Sequence, residues 1–337
     1  MRVLVLHDEV HADSPPDALD ILAQAEAVAG ALTRLGHEPE TLGCGPDLPL
    51  LADDLERLRP DLVFNLVESL GGQGRLIHVV PGWLDVLGVA YAGCPAEALY
   101  TTSHKVLAKR LLAGAGLPTP AWFSGPDGAL EPVADGPEPE RCLVKSVWED
   151  ASLGLDDASL VPGSRASVRT AMDLRGSLPG APWFAETYVE GREFNLSLLE
   201  GPDGPQVLPP AELRFVDYPP GKPRIVHYAA KWDEDSFEYS HTVRRFDLPD
   251  DDAPLATRLE TLALACWRLF DLRGWARVDF RVDACGEPWI LEANANPCLS
   301  PDAGFQAAVA RAGLDFDEAI ARILAATHVP NRVGARP

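Results

Sequence analysis

Four polar residues near the end of the chain have the types and spacing to do chemistry: Arg277, Asp279, Glu292 and Asn294, within WARVDFRVDACGEPWILEANANP. Side chains alternate along a strand, so Arg277 and Asp279 share one face, and Glu292 and Asn294 share a face of the next strand. A tight turn centred on Cys285-Gly286 predicts a hairpin that sets Asp279 directly across from Glu292. Two carboxylates opposed in a ladder repel unless a cation lies between them. Two carboxylates and an amide oxygen suit Mg2+, which keeps its other positions for waters and phosphate oxygens. Arg277, on the same face, is set to hold negative charge developing beside such an ion. Two plainer readings stand beside this one: Glu-x-Asn closing a strand in an ordinary turn, and a solvated hairpin face of mixed charge. The apolar flanks argue for an internal strand pair.

The chain as a whole restricts what such a site can serve. Its 337 residues suffice for two or three domains with cores of their own. A formal net charge of −22 argues against nonspecific binding to nucleic acid or an anionic membrane, which need a basic field. An anionic ligand must then be held by a local cluster of cations. Lysine is scarce: Lys105, Lys109, Lys145, Lys222 and Lys231 are the whole set, while arginine is plentiful. A retained lysine points to a position that wants a compact charge. The cysteines show no metal-binding spacing and read as reduced thiols. No apolar run of about 18 residues occurs and the first residues lack a signal-like core, so a cytoplasmic protein is expected.

Periodicity gives the elements that must position these groups. Residues 2–6 read as a buried strand, and Pro15-Pro16-Asp17 opens an amphipathic helix to about Leu35, closed by Gly36. Strands near 38–42 and 61–66 with a short helix between them, a helix over about 74–87 and a short strand over 87–93 complete an open α/β unit over roughly 1–100. Ser103 is the expected cap of a second helix, HKVLAKRLLAGAG. Residues 125–140 read as a loop, 141–147 as a strand, WEDASLGLDDASLV as a polar loop re-entering a strand, and 164–176 as a helix. Strands near 183–189 and 193–200 follow, then an irregular stretch from about 209 to 250. A helix over 253–272, the hairpin, a last helix near 313–326 and a frayed tail after Thr327 end the chain.

Taken in order, these segments resemble the ATP-grasp superfamily, specifically its D-alanine–D-alanine ligase branch, from about residue 60 to 325. YAGCPAEALYTTSHKVLAKRLLAGAGLPTP is similar to the lead into that family's central domain, and CLVKS and EDASLG to its phosphate-binding strand and lid. AETYVEGREFNLSLL resembles its inter-domain hinge, and GWARVDFRVD with ILEANANP its metal hairpin. The resemblance implies an α/β fold with an α+β central part. Its three-domain ATP-grasp architecture has an N-terminal Rossmann-like open sheet over 1–102, a central subdomain with the phosphate lid over 103–185, and a C-terminal subdomain with the metal and substrate site over 186–330. It also implies an ATP-dependent carbon–nitrogen ligase: ATP phosphorylates a carboxylate, an amine attacks the acylphosphate, and phosphate leaves as the amide forms. ATP and Mg2+ are the implied cofactors, with two ions and Mn2+ as a substitute.

Residue by residue, Lys105 and Lys145 match the family's phosphate-contacting lysines, and Ser152, Leu153 and Gly154 its lid, whose backbone amides cradle the γ-phosphate. Glu186, Tyr188 and Val189 match the adenine-binding hinge, largely through backbone groups, and Glu193 the acid on the ribose hydroxyls. Lys231 matches a lysine of the long irregular loop, Asp279, Glu292 and Asn294 the metal ligands, and Arg277 the arginine that steadies the acylphosphate and the tetrahedral intermediate. Arg277, Lys231 and Ser152 are thereby the implied catalytic residues. Lys109 reads as an exposed helix lysine. Lys145, in an apolar strand where an unpaired charge is costly, points to a phosphate partner.

The departures cluster on substrate recognition. HDEVHADSPPD stands where the ligases carry a Gly-rich loop with a glutamate for the first amino acid's ammonium. Asp8, Glu9, Asp13 and Asp17 either replace that glutamate or solvate a loop and favour a helix N-terminus. Ala151 and Ala303 stand where the family has serines, Trp232 where it has tyrosine and Cys298 where it has glycine. Loss of a hydrogen-bond donor to a substrate carboxylate discriminates strongly, so D-Ala-D-Ala is not the expected main product. The expected partners are a small-molecule carboxylate and an amine, as an amino acid or short peptide, with no nucleic acid and no membrane. A homodimer through the first domain is expected by resemblance. A small-molecule kinase on the same fold, a noncatalytic ATP-binding sensor and a D-alanine–D-alanine ligase proper are the alternatives. Trp148, Trp232, Tyr218, Tyr228 and Tyr239 are pocket lining or core, and His7 and His78 acid–base groups or scaffold.

Overall fold

The computed structural model describes residues 1–11, 13–124, 129–131, 138–149, 152–176 and 181–330. Ala151 lies outside the described residues, as does most of the 125–140 stretch.

The first sheet is built from β1 (Arg2–Asp8), α1 (Pro16–Arg34), β2 (Glu38–Cys44), α2 (Leu48–Leu58), β3 (Leu62–Asn65), α3 (Val79–Leu87) and β4 (Tyr91–Ala92). Its order is β2-β1-β3-β4, parallel throughout. Val3 to Leu6 and Leu62 to Asn65 are buried because helices cover the sheet. The expected helix over 74–87 divides into a 3-10 turn at Gly74–Leu76 and α3. α4 (Ala96–Ser103) is a helix the pattern does not announce, and α5 (Lys105–Gly114) follows it directly. The cap of α5 is His104, which accepts from the Leu107 amide at 3.1 Å, rather than Ser103, which closes α4.

β5 (Trp122–Ser124), β6 (Ala129–Glu131), β7 (Arg141–Ser146), β8 (Leu160–Pro162), α6 (Arg165–Arg175) and β9 (Trp183–Thr187) form the second unit. The antiparallel order is β6-β5-β9-β7-β8. β6 falls in the stretch expected to be loop. One face buries Cys142, Val144 and Ala185 under Val168 and Ala171 of α6. On the other, Phe184 packs with Val106 of α5. Lys145 and Glu186 alternate onto that second face, toward α5.

The third sheet contains β10 (Arg192–Gly201), β11 (Gly204–Val207), β12 (Ala211–Phe215), β13 (Thr242–Arg245), β14 (Trp275–Val282) and β15 (Pro288–Asn294), in the order β13-β12-β10-β14-β15 with β11 beside β10. The irregular stretch therefore holds two strands, and between them α7 (Ala229–Trp232) and α8 (Phe237–His241). α9 (Ala253–Leu269) covers the apolar face, where Leu259, Ala263 and Cys266 join Phe194, Leu196, Val278, Phe280 and Ile290. α10 (Gly304–Arg311) and α11 (Phe316–Ala325) close the chain against α1, and Leu199 and Trp275 join that core. Residue 328 is not frayed: its backbone pairs with Tyr91. Among the described residues no helix is long and apolar enough to cross a membrane.

Candidate active site

Alternation along β10 and β14 separates an apolar face from a polar one. Val278 and Phe280 enter the core; Arg277, Asp279 and Arg281 point the other way, beside Ser197, Asn195 and Glu193 of β10. Asp279 pairs with Glu292, as the sequence predicts, and Arg277 with Asn294. The route differs. Residues 283–287 form a longer turn, in which Asp283 Oδ1 accepts from the Cys285 and Glu287 amides. The tip register then sets Ile290 opposite Phe280, and a bulge before Glu292 restores the Asp279–Glu292 pair.

The cation between the opposed carboxylates is Arg277. Its Nε and Nη2 donate to Asp279 Oδ1 and Oδ2 at 2.8 Å each, and Nη2 lies 3.9 Å from Glu292 Oε1. Asn195 Nδ2 adds a donor to Asp279 Oδ1 at 2.7 Å. Burial pushes the Asp279 carboxyl up, against the pull of Arg277. Burial works on Glu292 in the same direction, but Lys105, Lys145, Arg277 and Lys231 outweigh it and hold that carboxyl down at about 2. Asn294 Oδ1 accepts from the Asn296 amide at 2.8 Å, so it closes the turn and still keeps a lone pair for a ligand. Two carboxylates, one firmly ionised, and an amide oxygen on one face are a donor set that fits a hard divalent cation.

Lys109 overturns its sequence reading. It is 1% exposed, and its Nζ lies 2.7 Å from Glu186 Oε2, with Thr119 Oγ1 at 2.9 Å and the Pro120 carbonyl at 3.0 Å. Lys145 pairs with the other Glu186 oxygen, so a protein carboxylate already answers its charge. Glu186 thus contributes a buried side chain, and not only backbone. Burial opposes its charged form, yet Lys109 and Lys145 bring the carboxyl below the usual range. Lys105 is buried too, and its Nζ donates to the Glu149 carbonyl at 2.8 Å.

Every residue that the resemblance assigns to ATP, metal or catalysis lines one cavity of about 1070 Å³, except Gly154. Gly154 packs against Trp183 instead: its φ is +71°, and a Cβ there would stand 2.6 Å from the Trp183 ring. Ser152, also left-handed, donates Oγ–H to the Val226 carbonyl at 2.8 Å. Glu193 Oε2 meets Arg281 Nη2 at 2.9 Å, and burial raises its pKa against that attraction. Tyr188 donates its hydroxyl to the Arg224 carbonyl at 3.2 Å.

The N-terminal acids divide. Asp8 ties the ends of β1 and β3 together, accepting from the Glu68 amide at 2.7 Å and Ser69 Oγ at 2.5 Å. Asp17 accepts from Tyr228 Oη at 2.8 Å, and Glu9 reaches the cavity beside Gly45. Asp13 is absent from the lining. Of the five aromatic residues, Trp232 and Tyr239 line the cavity, while Trp148 packs on His104 and Tyr100. Sequence reasoning passed over Asn195 and Arg281, and misread Lys109 as exposed. One further step of the Arg277–Asp279 alternation would have reached Arg281.

The model of the family described as D-ala D-ala ligase C-terminus matches residues 141–325. A D-alanine–D-alanine ligase of Methylococcus capsulatus is 30% identical over 313 residues, covering 90% of this chain and 89% of the relative. An uncharacterized protein, y4sG, of Sinorhizobium fredii is 32% identical over 318 residues, with 90% and 87% covered. The crystal structure of a Bacillus anthracis D-alanine–D-alanine ligase complexed with ATP shares the fold at a TM-score of 0.73 and 18% identity, over 97% of both chains.

Proposed function

Because the chain belongs to the D-alanine–D-alanine ligase family of ATP-grasp carbon–nitrogen ligases, we propose that it joins a small carboxylate substrate to an amine through an acylphosphate, at the expense of ATP. The observation that carries this reading is that Lys105, Lys145, Arg277 and Lys231 line one cavity with Glu292, Arg277 Nη2 lying 3.9 Å from its carboxylate, and together favour its ionised form. In a chain of net charge −22, that cluster is a local receptor for polyphosphate, next to oxygens suited to a phosphate-bound ion. Asp279, Glu292 and Asn294 would hold two Mg2+ ions, or Mn2+ in their place, whose part is to neutralise phosphate charge.

On this reading Lys105 and Lys145 orient the phosphates, and residues 152–154 close over them. Tyr188 and Val189 take the base, and Glu193 the ribose. Arg277 and Lys231 hold the charge that develops during attack by the amine. The segments over the cavity keep water from the acylphosphate. The working division is 1–102, 103–185 and 186–330, in a cytoplasmic homodimer. Substrates other than two D-alanines belong to the same proposal: Ala303 offers no hydroxyl, and Trp232 no phenol, to a substrate carboxylate.

The test measures ADP and phosphate release from Mg-ATP against pools of D-amino acids, L-amino acids and short peptides, with product masses read from the same wells. Stoichiometric ADP and phosphate with a condensed mass is expected in at least one pool. ADP with a phosphorylated product and no free phosphate would replace the ligase with a kinase. Release with D-alanine alone would return the substrate to that of the named relatives.

A further inference from the structure

One cation in the cavity wall stands outside the phosphate cluster. Arg281, on the polar face of β14, is 3% exposed, and its guanidinium is held from several sides. Nη1 donates to the Gly191 carbonyl at 3.1 Å. Nη2 donates to the Arg224 carbonyl and meets Glu193 Oε2 at 2.9 Å. The ring centroids of Tyr188 and Phe215 each lie 5.4 Å from its Cζ. One planar fork thus joins the hinge at Gly191, the start of β10 at Glu193 and the long loop at Arg224. Glu193 sits directly across the ladder from Arg281 and is buried as well. Among the described residues Arg281 is the only side chain that bonds the Glu193 carboxylate, which leaves Oε1 to the cavity that Glu193 lines. A buried carboxylate is costly unless a cation and hydrogen bonds answer it. Arg281 answers one oxygen. Hydroxyl donors entering from the cavity would answer the other.

We propose that Arg281 is a positioning residue for the nucleotide: it pins Glu193 as the acceptor of the ribose hydroxyls, and so makes the site select ribonucleotides over deoxyribonucleotides. This rests on the ligase reading above, in which the base of ATP lies at Tyr188 and Val189. Those two residues line the cavity together with Glu193 and Arg281. An acceptor already fixed by its neighbour loses little freedom when the ligand arrives. A sugar that lacks a hydroxyl then leaves a buried oxygen unpaired, which is the condition for strong rejection. Without Arg281 the carboxylate can turn away, and the selection goes with it.

The probes are ATP, deoxy-ATP and dideoxy-ATP with Mg2+, titrated calorimetrically into the full chain with no carboxylate or amine present, so that binding is read apart from turnover. Wild type is expected to bind dideoxy-ATP about thirty-fold more weakly than ATP, with deoxy-ATP between them. Arg281→Met should weaken ATP about ten-fold, leave dideoxy-ATP nearly unchanged and so erase most of the difference. Arg281→Lys keeps a charge beside Glu193 without the fork. It should fall between, and it keeps the test available if the methionine variant folds poorly. Variants that weaken all three nucleotides alike, or that keep the wild-type discrimination, overturn the inference and leave the ligase intact; a wild type that binds the three nucleotides equally does the same. A wild type that binds no adenine nucleotide overturns the ligase reading, and this inference with it.

Discussion

Glu186 lies 2% exposed between two lysines, each bonded to one of its oxygens. Such a triad stabilises only while complete, because removing one member leaves buried charge without an answer. Glu186→Gln should therefore lower the unfolding free energy by about 3–5 kcal/mol near neutral pH, read from urea melts. The pH dependence has a definite sign. The folded carboxyl lies below its ordinary value, so its contribution is complete above about pH 4.3 and is lost as the pH falls through the lower folded value. The gap between wild type and variant should then narrow on acidification below that range. A gap under about 1 kcal/mol at neutral pH, or one that stays constant down to pH 3, would mean that the triad is not the counter-ion system described. The same geometry explains why Lys109 misled the sequence reading: one helix lysine looks like another until the strand bearing its carboxylate is folded onto it.

At the level of the elements, the hairpin shows how a correct pairing can rest on an incorrect register. A turn centred on Cys285-Gly286 puts Ile290 on the polar face and Leu291 in the core. The longer turn reverses both, and the bulge then returns Glu292 to Asp279. Ile290→Ala should consequently cost about 2–5 kcal/mol of stability, while Leu291→Ala, at a half-buried position on the cavity wall, costs less than about 1 kcal/mol and acts on ATP binding. Chemical denaturation of the two variants decides it, and the opposite ranking would restore the symmetric register. Period-two alternation carried the polar face of the hairpin and its Asp279–Glu292 pair, and uninterrupted apolar runs carried β1 and β3. What stayed illegible was set by long-range contact: α4 follows Pro95 without a side-chain cap, and β12 and β13 hide among prolines and charges because neighbouring strands, not local propensity, hold them.

Over the whole molecule, the cavity is roofed by segments from all three sheets' neighbourhoods, tied mostly through polar side chains. The 152–157 segment reaches the long loop through Ser152 Oγ to the Val226 carbonyl, and through Lys222 Nζ to Asp157 Oδ2 at 2.9 Å. Lys222 also pairs with Glu238, and His227 Nε2 lies 3.6 Å from both acids. Tyr228 carries the tie on to Asp17 of α1. Asp157, His227 and Glu238 could by their atoms surround a metal ion, but the Lys222 ammonium already supplies the cation between the two carboxylates. Lys222 lies outside the cavity lining, so its loss should act on closure and spare the residues proposed to meet substrate. In Lys222→Gln the carboxylates repel, and a contribution of about 1 kcal/mol to closure corresponds to a three- to ten-fold rise in the open population. Chymotrypsin cleavage at Tyr228, Phe237 and Tyr239 should accelerate by that factor, with Lys222→Arg close to wild type. On the proposed acylphosphate route ATP turnover should also uncouple, giving more ADP per condensed product, because an open roof admits water. Unchanged cleavage together with unchanged coupling would show that the roof is held by its backbone contacts, and that the charge cluster is a surface ornament of the closed state.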